Sequence, residues 1–179
     1  MQKTITNSAV NETITFVQTA AESEGRATVL EITIMPGKGN GLQYRKTYPE
    51  TFTALDHPLG MRLGKKTVIL QPGESKTIEA GTTHGFFNPN SEPIPFRVSI
   101  EPAHQGFEYA LRILSGLAAD GKTNKKGVPK KFQHMAIIAC MSEMNLPGVL
   151  SVLYPLLLNT AKKAKASGEE QRLIDVYCV

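Results

Sequence analysis

The chain has 179 residues, of which 41% are apolar and 20% charged, with no Trp and a formal net charge of +4. That length holds one domain with a proper core, or one domain plus a helical annex, and the balance excludes disorder and low-complexity sequence. Two cysteines, Cys140 and Cys178, exclude a disulfide framework and a cysteine-based metal site, which points to a reducing compartment.

The opening residues, Met-Gln-Lys-Thr-Ile-Thr-Asn-Ser, lack the apolar run of a signal peptide, so a cytoplasmic location is expected. The next hundred residues read as strands. Ile14 and Phe16 alternate with Thr, Leu30, Ile32 and Ile34 with Glu31 and Thr33, and Phe96, Val98 and Ile100 with Arg97 and Ser99. A period of two marks a strand buried on one face. Turn signals recur at Pro36-Gly37, Gly39-Asn40-Gly41, Gly64-Lys65, Pro72-Gly73 and Asn88-Pro89-Asn90. Short strands at such spacing predict an antiparallel sandwich or barrel.

After Pro102 the period becomes helical. Leu111, Leu114 and Leu117 recur three apart, and Asp120-Gly121 closes the run. A Lys- and Gly-rich connector follows over 121–131. Two apolar stretches, 132–144 and 149–158, are split by Asn145-Leu146-Pro147-Gly148 and are too short to span a bilayer. They are expected to be helices that cover one end of the barrel or pair with a second subunit. The tail from Leu173 to Val179 reads equally as strand or helix. The chain divides on this reading into a β-barrel over 1–102 and a helical extension over 103–179.

Charge is uneven along the chain. Residues 1–102 carry ten Lys/Arg against ten Asp/Glu, whereas 103–166 carry nine against Glu108, Asp120 and Glu143. A solvated helical face explains such an excess best, and contact with an anionic membrane surface is the lesser alternative. Aromatic residues do not interleave with the basic ones, so nucleic acid is not an expected partner.

Chemistry concentrates in two spaced motifs. In the second, Gly73, Gly81, His84 and Asn88 stand at the spacing Gly, five residues, Pro-x-Gly, two residues, His, three residues, Asn, with Glu79 in place of the Pro. In the first, Gly37 and Glu50 fit Gly, five residues, His-x-His, four residues, Glu, six residues, Gly, but Gln43 and Arg45 replace both histidines and His57 replaces the closing Gly. These segments resemble the two motifs of the cupin superfamily. The stretch Leu114 to Pro129 resembles the C-terminal extension of a widespread group of single-domain cupins.

The resemblance implies a mainly β jelly roll, or double-stranded β-helix, with C-terminal helices. It also makes Gln43, Arg45, Glu50 and His84 the counterparts of a His3Glu set that holds Fe, Mn, Ni or Zn. Of these, Glu50 and His84 are strong ligands. Gln43 offers a weak carbonyl oxygen, and Arg45 has no lone pair and brings a positive charge to the cation's place. No cofactor is therefore favoured, and a divalent metal is the minor expectation. With Arg45 and Glu50 both inward, their ion pair is expected either to plug the site with His84 or, with Gln43, to hold a small carboxylate or carbonyl ligand. Tyr44 and Tyr48 are expected to face outward or line the rim, His57 to lie at an outer turn, and His104 and His134 to be surface or helix-packing residues. The expected function is metal-independent binding of a small molecule by a homodimer. The alternative is a metal-dependent dioxygenase, or an isomerase or epimerase using Glu50 and His84.

Overall fold

The computed structural model describes residues 2–178, and within them the side chains other than those at 149, 150 and 153. Val179, the last residue of the ambiguous tail, lies outside the described residues. Nine strands run β1 (Thr4–Asn7), β2 (Glu12–Gln18), β3 (Thr28–Ile34), β4 (Glu50–Ala54), β5 (Leu59–Leu63), β6 (Lys66–Leu70), β7 (Ser75–Ile78), β8 (His84–Phe87) and β9 (Ile94–Ile100). The expected alternation is literal in β3 and β9, where every second side chain is buried. β3 and β9 pair antiparallel over their full length, Leu30 opposite Val98 and Ile32 opposite Phe96.

One sheet has the order β1-β2-β3-β9-β4-β7 and the other β6-β5-β8. Segment 39–43 extends the second sheet through bridges Gly39–Phe87 and Gln43–His84. From β3 to β9 the chain crosses between sheets at every connection except the β5–β6 hairpin, which generates the interlocked strand orders β3-β9-β4-β7 and (39–43)-β8-β5-β6 of a jelly roll. Side chains from both inner faces meet in one core. Phe52 and Phe96 come from the first sheet and Phe86 from the second, with Phe86 and Phe96 ring centroids 4.8 Å apart. Gly39 is required where the segment passes β8, because a Cβ there would stand 2.1 Å from the Phe86 carbonyl oxygen.

Beyond β9 come α1 (Gln105–Ala119), α2 (Phe132–Met141), a 3-10 turn over Gly148–Leu153, α3 (Tyr154–Ala166) and α4 (Glu169–Tyr177). The tail is thus helical. α1 spans two cores, with Phe107 and Leu111 joining the sheet core and Ile113 and Leu117 joining a helical core with Ile137, Ala164 and Leu173. Two buried charges anchor it. Glu108 accepts hydrogen bonds from the Ala20 N–H and the Thr28 hydroxyl, both at 2.6 Å. The Arg112 guanidinium lies 3.8 Å from the centre of the Phe16 ring and donates to the Gln2 carbonyl at 2.7 Å. Among the described residues no helix is long and apolar enough to cross a membrane.

Candidate functional site: a buried Arg45–Glu50–His84 cluster

The two motifs converge because their strands do. Gln43 and His84 exchange both backbone hydrogen bonds at 2.8 Å, so they face each other across the sheet edge. Arg45 follows two residues later, and its carbonyl accepts from the Gly81 N–H at 2.7 Å. Gly81 has φ +81°, a conformation an L side chain resists. Glu50 starts β4 opposite Ile78.

Arg45, Glu50 and His84 are 6%, 3% and 1% exposed. Arg45 Nε lies 3.2 Å from Glu50 Oε2. His84 Nε2 stands 2.9 Å from the same oxygen, off the line that an aligned hydrogen bond requires. Its Nδ1 is 2.9 Å from the Thr82 carbonyl, which can only accept, so Nδ1 carries a proton and Nε2 faces the cluster. Burial by itself would push the Glu50 carboxyl up, but the positive Arg45 and the His84 contact outweigh it and hold the group below the ordinary carboxylate value. Gln43 is only half-buried.

The helical extension completes the enclosure. Arg45 Nη1 donates to the Ser142 carbonyl at 3.0 Å, and the Tyr48 hydroxyl donates to the same oxygen at 2.7 Å. Ser142 caps the C-terminus of α2, whose last turn contains no basic residue of its own. Arg45 therefore supplies the cation that the negative end of the helix dipole favours. The guanidinium also lies 4.9 Å from the Phe107 ring centre of α1. Around it, Thr47 donates to Glu143 at 2.6 Å, Tyr44 and Asn145 exchange backbone bonds at 3.0 Å, and Lys46 lies 3.6 Å from the Tyr154 ring centre.

One expectation is overturned. Tyr48 does not face outward but is 3% exposed and belongs to the sheet core, and burial pushes its hydroxyl pKa up. Residues 45–49 form no strand, so the period-two count from Arg45 does not reach it. Tyr44 is half-buried, and His57 lies at the bend between β4 and β5. His104 caps α1, its Nδ1 accepting from the Phe107 N–H at 2.9 Å, while buried His134 meets Glu169 at 2.8 Å. Ser142 and Phe107 escaped sequence reasoning. A carbonyl contact leaves no trace in residue type, and no motif marks these positions.

The donor set does not fit a transition metal. Glu50 is committed to a fixed cation, Arg45 cannot ligate, and Gln43 offers only an amide oxygen. Among the described residues no group of three His, Cys, Asp or Glu stands close enough to hold an ion. The cluster compensates charge within the fold, Arg45 against Glu50 and the Ser142 carbonyl.

No family model and no curated protein sequence matches the chain. Solved structures do resemble it. A predicted oxalate decarboxylase from Thermotoga maritima is 16% identical, at TM-score 0.49, with 55% of this chain and 90% of that one covered. The cupin domain of an XRE family transcriptional regulator from Enterobacter cloacae is 15% identical, at TM-score 0.44, covering 50% and 95%. TT1209 from Thermus thermophilus is 23% identical, at TM-score 0.41, covering 44% and 74%. The strand order and the antiparallel registers make this chain a double-stranded β-helix, or jelly roll, with a helical C-terminal extension.

Proposed function

We propose that the protein is a metal-independent, small-molecule-binding cupin whose ligand is a small carboxylate or carbonyl compound. The observation that carries this reading is the buried Arg45 guanidinium, 3.2 Å from Glu50, at the position where the motif resemblance implies a metal ligand. A fixed positive charge favours an anionic or carbonyl oxygen over a metal ion. Gln43 supports the reading, since it is half-buried and its backbone pairs with that of His84. Pairing of two copies through the helical extension is part of the proposal, supported by Val152 and Leu156, which are 75% and 52% exposed. Sedimentation across a concentration series tests that pairing, and a monomer at every concentration removes it.

The functional test combines elemental analysis with thermal shift. Purified protein should hold no stoichiometric Fe, Mn, Ni or Zn, and a screen of small carboxylates and keto acids should give a saturable rise in Tm that Gln43→Ala weakens. Near-stoichiometric metal that disappears in both Glu50→Gln and His84→Ala would sink the proposal and favour the dioxygenase.

A further inference from the structure

We propose a second binding site, within the helical extension, for the phosphate group of a small organic molecule. A cavity of about 540 Å³ opens there between the 121–131 connector, the start of α2 and α4. Lys122 and Lys130 of the connector, Lys131 at the N-cap of α2 and Arg172 of α4 line it. Among the described residues Glu169 is the one carboxylate on its wall, so four cationic residues meet a single negative one. The volume falls within the roughly 300–1,000 Å³ of small-molecule sites and exceeds what a bare phosphate fills, so the ligand carries an organic body behind the phosphate. Charge sunk in a hollow suits such a molecule better than a flat membrane surface.

Three of the four cations are held in place by the protein and keep donors to spare. Lys122 Nζ donates to Asp120 at 2.6 Å and to the Tyr177 hydroxyl at 3.1 Å, and Lys130 Nζ to the Gly121 carbonyl at 2.8 Å. Arg172 grips Glu169 through Nε and Nη2, both at 2.7 Å, which leaves Nη1 free of that pair. An ammonium has three donors and a guanidinium five, so each group retains N–H donors for phosphate oxygens. Glu169 opposes an anion weakly, because its oxygens already accept from Arg172 and from Nε2 of the buried His134 at 2.8 Å. The start of α2 adds to the same field. No side chain caps it, no acidic residue stands in its first turn, and Lys131 takes the N-cap place where Ser, Thr, Asp or Asn is usual. Lysines beside the positive end of a helix dipole oppose it, and an anion in the cavity relieves that opposition and the repulsion among the four cations together. The site shares no side chain with the Arg45 cluster and stands independently of it.

The test is calorimetric titration of the full chain, in phosphate-free buffer at low salt, with ribose 5-phosphate, ribose and inorganic phosphate. Ribose 5-phosphate should saturate a single site and ribose should not bind. Inorganic phosphate should bind about fivefold more weakly than the ester, the worth of one net hydrogen bond to the organic body. Lys131→Glu should weaken ribose 5-phosphate by about tenfold or more, as expected for one hydrogen bond to a charged group. That variant should also melt above the wild type in the absence of phosphate, since a carboxylate suits the start of α2, which separates lost binding from lost folding. Lys162→Ala combined with Lys163→Ala changes net charge by the same amount on exposed positions of α3 outside the cavity, and should leave the affinity within about twofold. Equal losses in the two variants would reveal diffuse attraction and overturn the site. Binding of ribose alone, titration by ribose 5-phosphate without saturation, or inorganic phosphate matching the ester would overturn it as well.

Discussion

Replacing Glu50 by Gln tests the charge compensation at the cluster directly. The change keeps shape and one acceptor but removes the negative charge 3.2 Å from a guanidinium that is itself 6% exposed. At an effective dielectric of about 20, that attraction is about 5 kcal/mol. Stranding one member of a buried pair costs about 3–5 kcal/mol in practice. For a chain of this size that corresponds to a fall in Tm of roughly 6–20 °C. Urea melts at pH 7 should therefore show a lower midpoint with an unchanged slope. The double variant Arg45→Met with Glu50→Gln removes the stranded cation, and the Ser142 carbonyl keeps its Tyr48 donor. It should be no less stable than Glu50→Gln alone. A single-variant cost under about 1 kcal/mol, or a double variant whose loss equals the sum of the singles, would refute charge compensation as the role of the pair.

Acid should unfold the wild type through the same group. The folded-state pKa of Glu50 is depressed, so its contribution is present above the ordinary carboxylate value and lost as pH falls below it; in Glu50→Gln melts, that part of the acid-side slope should vanish. Glu12 carries the opposite sign. Half-buried by surface area, it is lifted by desolvation to about 7, so its penalty grows as pH rises from the unfolded value and is complete above about 7. Glu12→Gln should thus melt higher than wild type at pH 8 and equally at pH 4. Glu108→Ala strands the Ala20 N–H and the Thr28 hydroxyl, at about 1–3 kcal/mol for each donor, with faster hydrogen exchange at Ala20. Gly81→Ala forces an L side chain to φ +81° and should cost about 1–2 kcal/mol in urea melts.

The strands and their turns were legible in the sequence, because each rests on local rules. Alternating Leu30, Ile32 and Ile34 must bury one face, and positive-φ turns demand residues such as Gly81. Motif spacing named Gln43, Arg45, Glu50 and His84; pairing sets Gln43 opposite His84 at the edge of the second sheet, while Glu50 reaches Arg45 and His84 from β4 of the first. Tyr48 was lost because alternation holds only inside a strand, and residues 45–49 are irregular. What covers the cluster was decided by tertiary structure alone. The Ser142 carbonyl reaches Arg45 across 97 positions, and Asn145 pairs with Tyr44 across a similar gap. Both contacts depend on backbone atoms, which every residue type possesses. Only the docking of α2 on the sheets decides which backbone oxygen meets the guanidinium.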